Sequence, residues 1–227
     1  MKLPTNKRPA LNTLHSYRIL LYGAPKIGKS TFCSQMEDAL FLDTENGLQA
    51  LEVCCVNVTN WSDFKSACTE LKKGHTCKFV AIDTVDSLYH MCREDVLKRL
   101  GIKHESDAPY GKGYAEVKSE FTEVMRKVFK LPYGIILTSW SKMVEVKTRT
   151  DIFNKAVTTL PTAIQEFVTG TVDIILYAEV LHDGRRVIHA GSSELHLGGD
   201  RTGRLPKTLP LDYKQFEIAF RGGEIIE

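Results

Sequence analysis

The chain has 227 residues, of which 43% are hydrophobic and 26% charged, with a formal net charge of +2. That is the composition of a globular chain long enough to bury a sizeable core, as one large domain or one domain with a small appendage. No apolar run approaches the roughly 20 residues that span a bilayer, and Met1 to Pro9 lacks the apolar stretch of a secretory signal, so a cytoplasmic protein with no membrane partner is expected. So small a net charge does not decide for or against nucleic acid, because clustering of basic residues matters more than their sum. The six cysteines, Cys33, Cys54, Cys55, Cys68, Cys77 and Cys92, form no C-x-x-C pair. Reduced core thiols are expected rather than staples or a zinc site.

Residues 1–16 are polar and include Pro4 and Pro9, which reads as an N-terminal arm; 17–227 then forms the folded domain. Tyr17 to Tyr22 reads as a short buried strand. It runs into Gly23-Ala24-Pro25-Lys26-Ile27-Gly28-Lys29-Ser30-Thr31, which satisfies G-x-x-x-x-G-K-[ST] at every fixed position. A helix over Ser30 to Asp38 should follow, so strand, loop and helix stand in the order a P-loop requires. Glycines at 23 and 28 let the backbone turn sharply and aim N–H groups at phosphate oxygens, with the positive end of the helix behind them. Lys29 is then placed for the β- and γ-phosphates and Ser30 for Mg²⁺, which makes ATP and Mg²⁺ the expected ligands. Lys26 adds a further charge inside the loop.

Ala39 to Asp43 is a short apolar run that turns polar at Thr44-Glu45-Asn46-Gly47, as a parallel strand emptying into a loop should. Val53 to Val58 offers another strand. Trp61 to Lys73 has the helical spacing of Trp61, Phe64, Ala67, Cys68 and Leu71, closed by Gly74. Lys78 to Asp83 has the form of a Walker B strand, four apolar residues ending in a carboxylate, and with an upstream P-loop it assigns Asp83 to Mg²⁺. A helix from Val85 to about Leu100 follows, stopped by Gly101.

Ile102 to Tyr114 reads as a loop whose tip carries Tyr110, Lys112 and Tyr114 between glycines, a composition suited to stacking on bases or closing over a ligand and equally to an ordinary surface loop. An amphipathic helix is expected over Ala115 to Lys130 and a buried strand over Tyr133 to Ser139. Ser139 and Trp140 fall at that strand's carboxyl end, where nucleotide sites collect. Ser141 to Pro161, with Lys142, Lys147, Arg149 and Lys155, reads as a hairpin or partly disordered excursion from that edge; a solvated face would look the same. Thr171 to Leu181 should pair with Arg186 to Ala190 through an Asp183-Gly184 turn. Leu197 to Lys207 is glycine-rich and basic, able to approach a phosphate in its own subunit or a neighbour's, and Asp212 should cap a last short helix.

With these segments in place the chain resembles the RecA-like ATPases, most closely the small phage-encoded nucleotide-binding proteins that include RecA-like single-strand annealing proteins. The resemblance runs from Tyr17 to Phe220 and rests on Gly23 to Thr31, Phe41-Leu42-Asp43-Thr44-Glu45, Val80-Ala81-Ile82-Asp83-Thr84, Tyr110 to Tyr114, and Asp200-Arg201-Thr202-Gly203 with Leu205-Pro206. It implies a RecA-like P-loop NTPase fold, a mainly parallel sheet flanked by helices and continued by an antiparallel hairpin. It implies that Glu45 polarises the attacking water and that a residue at Ser139 or Trp140 senses the γ-phosphate; a tryptophan there departs from the usual polar side chain. Arg201 or Arg204 would complete a neighbour's site in a homo-oligomeric ring or filament, with single-stranded DNA as ligand and a single-strand DNA-binding protein as companion. Lys142, Lys147 and Arg149, with Tyr110, Lys112 and Tyr114, would form the DNA surface. Two other classes fit the P-loop: a small-molecule kinase in which Glu45 orients an acceptor hydroxyl, and a nucleotide-dependent interaction module with little turnover. No compact arginine cluster of the kind found in kinase lids is present.

Overall fold

The computed structural model describes residues 3, 5–7, 9–149 and 151–224; residues 1, 2, 4 and 8 of the expected arm, Thr150, and the last three residues of the expected 17–227 domain lie outside the described residues. Strand β1 (Arg18–Gly23) leads through the P-loop into α1 (Lys29–Ser34), followed by β2 (Ala39–Asp43), β3 (Cys54–Asn57), α2 (Trp61–Lys73), β4 (Phe79–Asp83) and α3 (Val85–Leu100). Helix α4 (Lys112–Val128), β5 (Gly134–Lys147), β6 (Ile152–Thr158), α5 (Thr162–Thr171), β7 (Ile174–Val180) and β8 (Arg186–His189) come next. The chain ends with β9 (Gly199–Asp200), β10 (Thr208–Pro210) and α6 (Tyr213–Phe220).

The sheet runs in the order β10-β8-β7-β1-β5-β4-β2-β3. From β7 to β3 every neighbouring pair is parallel, whereas β8 and β10 continue the sheet antiparallel, and β6 and β9 pair antiparallel with β5 and β7. This is a mixed α/β fold with a mostly parallel central sheet, as a P-loop NTPase requires. Alternation along the strands divides the core in two. Leu20, Val80 and Leu137 face a layer built from α2, α3, α4 and α5, through Trp61, Leu88, Phe121 and Val168. Ile19, Leu21 and Ile136 face α1 and α6, through Phe32, Phe216 and Phe220. Covered on both sides, β4 is buried at all five residues, which is why it reads as an unbroken apolar run.

Four expectations need correction. Helix α1 stops at Ser34 instead of Asp38: the Gln35 side chain accepts a hydrogen bond from the Tyr213 N–H, and Asp38 takes φ of 56° to turn the chain into β2. The loop expected up to Tyr114 is largely helical. Glu105–Asp107 and Pro109–Gly111 form 3-10 turns, and Lys112 and Tyr114 lie in the first turn of α4. Helix α5 is not marked in the sequence because its Thr-rich segment, with Gly170, has poor helix propensity; burial of Ile164 and Val168 overrides that, and Thr169 and Thr171 donate their hydroxyls back to the Gln165 and Phe167 carbonyls. The cysteines are free, but Cys54 and Cys55 are exposed on the edge strand β3 rather than buried. Residues 141–161 resolve the remaining choice as a hairpin, β5 and β6 pairing from Ser141 with Thr158 to Lys147 with Ile152.

Candidate functional site

Parallel register aligns the carboxyl ends of the strands, with Gly23 opposite Trp140 and Asp43 opposite Asp83. The Asp43 end is therefore not next to β1; β5 and β4 intervene. It still borders the same cleft, of about 490 Å³, whose walls include Lys26, Lys29, Ser30, Glu45, Asp83 and Trp140.

The loop's two fixed glycines do different work. Gly28 adopts φ of 118°, open to glycine and strained for other residues, and so lets the chain enter α1. Gly23 instead permits close strand packing: a Cβ there would lie 2.7 Å from the Ala178 carbonyl oxygen of β7. Gly23→Ala should therefore destabilise the fold by about 1–3 kcal/mol, the usual cost of overpacking, read as a lower urea midpoint with unchanged slope. Pro25 and Ala24 form the exposed crest of the loop, Ile27 is buried beneath it, and Thr31 is exposed on α1. Lys26 holds φ of 64°, a conformation uncommon outside glycine.

Lys29 is buried, and its amine donates to the carbonyls of Gly23 at 3.0 Å and Ala24 at 2.9 Å. Burial lowers its pKa, against the upward pull of Asp83, Asp86 and Glu45. The Ser30 hydroxyl donates to Asp83 Oδ2 at 2.6 Å, and Thr138 Oγ1 donates to Asp83 Oδ1. Asp83 is thus fixed through both oxygens at the mouth of the loop. A hydroxyl and a carboxylate side by side form an all-oxygen donor pair that suits Mg²⁺, so Ser30 and Asp83 fit the metal expected with a nucleotide. When bound, that metal would supply neutralisation of phosphate charge.

Glu45 is exposed in the cleft, with Oε1 accepting from Thr84 Oγ1 and from Ser87 Oγ at 2.9 Å. The turn after it is held not by Glu45 but by Asp43, whose Oδ1 accepts from the N–H groups of Glu45 at 3.0 Å and Gly47 at 3.4 Å. Helix α3 is capped by Thr84, which accepts from the Ser87 N–H, leaving Asp83 free of that task.

Ser139 is fully buried, its hydroxyl donating to the Trp140 carbonyl and lying against Asp86, while Trp140 lines the cleft. Arg201 and Arg204 are not at their own chain's P-loop. Arg201 pairs with Asp173 and donates to the Gly170 carbonyl, beside the opposite end of β7. Arg204 holds Leu11 and Asn12 and lies over the Phe220 ring at 4.8 Å. Lys142 is exposed near the base of the hairpin, Lys147 pairs with Glu145 at 3.1 Å, and Arg149 is exposed near its tip. Tyr110 is completely exposed and holds φ of 56°, while Lys112 and Tyr114 are exposed on α4.

The sequence reading passed over Thr138 and Asp86. A threonine ending the apolar run Ile135-Ile136-Leu137 was a visible signal. Asp86 is buried, with its pKa raised by desolvation, and accepts from the Trp140 N–H at 3.1 Å and from Thr159 Oγ1. It ties the start of α3 to the base of the β5–β6 hairpin, a contact no local pattern announces.

The family model for the AAA domain matches residues 15–202, which takes in the P-loop, Glu45, Asp83 and Trp140. The chain belongs to the AAA domain family. It is a P-loop ATPase-type domain. The SPbeta prophage-derived uncharacterized protein YorG of Bacillus subtilis (strain 168) is 25% identical over 125 residues. That match takes in 52% of this chain and 39% of the Bacillus protein, so it spans well under half of that relative. Among the described residues no helix is long and apolar enough to cross a membrane.

Proposed function

We propose that the chain is a phage-associated, RecA-like ATPase that binds and hydrolyses ATP with Mg²⁺ and acts on single-stranded DNA in recombination or replication. The observation that carries the ATPase part is the joint placement of Ser30, Asp83 and Glu45 around one cleft, with Asp83 held by two hydroxyls. Lys29 binds the terminal phosphates, Ser30 and Asp83 hold the metal, and Glu45 takes a proton from the attacking water. The phage setting is supported by likeness to a prophage-derived protein.

The DNA part is supported by an exposed tyrosine in a left-handed conformation and a basic hairpin leaving the nucleotide edge. The Asp86 contacts link that hairpin to the helix after Asp83. Annealing, as in the single-strand annealing proteins, and strand exchange both fit. Assembly into a ring or filament gives Arg201 and Arg204 a role in trans, since neither reaches its own chain's loop. A single-strand DNA-binding protein is the companion such work calls for.

Binding of a short oligonucleotide should weaken with salt, with a slope of log affinity against log salt of about −0.7 for each phosphate neutralised by Lys142, Lys147 or Arg149. Tyr110→Ala should cost about 1–3 kcal/mol of that affinity. Fluorescence anisotropy across a salt series, with and without ATP, reads both. Absence of binding in every nucleotide state at low salt would sink the DNA reading. A second reading, an interaction module with little turnover, is favoured by Trp140 in the cleft, where a polar sensor is expected.

A further inference from the structure

Helices α2 and α4 lead into the starts of β4 and β5, so their last turns lie at the sheet's amino edge, away from the nucleotide cleft. A groove of about 550 Å³ opens between them. Its walls carry Lys65, Lys72, Lys127 and Lys130, and among the described residues no carboxylate lines it. In a chain whose net charge is only +2, this is a local concentration of one sign. Lys65 is engaged by Glu120 at 3.6 Å. For Lys72, Lys127 and Lys130 there is no ion pair among the described residues.

Basic residues in a last turn answer the helix dipole, and that accounts for Lys72 and Lys127. Lys65 sits in the middle of α2 and Lys130 beyond the end of α4, so the dipole does not explain the set. The floor between the lysines is apolar, formed by Val124, Val128, Leu131, Pro132 and Cys68, whose thiol burial pushes up to about 12. The groove is also braced. Tyr133 Oη donates to the Leu71 carbonyl at 2.9 Å and accepts from the His75 N–H at 2.8 Å, clamping the end of α2 to the start of β5.

We infer that this groove docks an acidic, apolar segment of a partner protein, its carboxylates on the lysine rim and its aliphatic side chains on the floor. An apolar floor favours protein over nucleic acid: among the described residues no aromatic ring lines the groove to stack a base, and a phosphate chain has nothing to place on valine, leucine and proline. From Lys65 to Lys72 the wall is roughly 10 Å long, enough for about two helical turns or three extended residues. The inference does not depend on nucleotide hydrolysis or DNA binding.

The test is fluorescence anisotropy on the full chain with a fluorescein-labelled peptide of about ten residues alternating aspartate with leucine. The controls are an oligoglutamate of equal charge and a lysine-leucine peptide. The aspartate-leucine peptide should bind at least about tenfold more tightly than either, and Lys72→Glu with Lys127→Glu should weaken it about tenfold. Hydrogen exchange on the unmodified chain, which needs no variant, should slow at 65–72 and 124–132 on adding the peptide and not at 23–31. Equal binding of oligoglutamate, indifference to the charge reversal, protection elsewhere, or displacement of the peptide by a single-stranded oligonucleotide would overturn the inference.

Discussion

Lys29→Ala should lower affinity for ATP by about 10- to 150-fold, the equivalent of the roughly 1.5–3 kcal/mol that a charge-assisted contact contributes. The amine is held among the Gly23 and Ala24 carbonyls inside the loop, where water screens it poorly. Its loss would also remove a cation on which Asp83 and Asp86 both act in the folded chain, leaving their charge less compensated where phosphates enter. Equilibrium titration with ATP and Mg²⁺ measures the change. Undiminished affinity would count against the P-loop assignment.

Glu45→Gln should keep nucleotide affinity and slow hydrolysis by about 10²–10⁴-fold, the range of a lost general base. The hydroxyls of Thr84 and Ser87 both donate to Oε1, orienting the carboxylate and leaving Oε2 to accept a proton. Glutamine preserves the size and one acceptor, so the substitution removes charge and basicity while keeping the geometry. Phosphate release under single-turnover conditions separates this outcome from a binding defect. An unchanged rate would make Glu45 a partner of the α3 cap alone and place the base elsewhere.

The parts of the fold that were legible in the sequence are those bounded by strong local punctuation. Helix α2 is framed by the Asn60 cap and Gly74, and α3 by Thr84 and Gly101, and both were read to the residue or nearly so. The P-loop was visible because its chemistry demands fixed residue types at fixed spacing. Helix α5 lacked such marks; its Thr, Val and Gly residues are made helical by tertiary packing. The start of α4 was hidden by Tyr110-Gly111-Lys112-Gly113, whose glycines suggested a loop although Gly111 takes a left-handed conformation just before the helix. Within the site, single residues announced by motif came together, whereas Thr138 and Asp86 depend on strand register and on a hairpin folding back to residue 159. Strand order was illegible for the same reason, and with it the location of Arg201 and Arg204 at the opposite end of β7 from the P-loop.

Phosphate release from ATP by the purified chain, followed with and without Mg²⁺ and with and without single-stranded oligonucleotide, decides whether the cleft hydrolyses ATP in response to DNA. Release should require Mg²⁺, rise on adding the oligonucleotide, and disappear in Lys29→Ala. Tight binding of ATP with no release in any of these states would contradict the ATPase reading, and would leave a nucleotide-dependent interaction module.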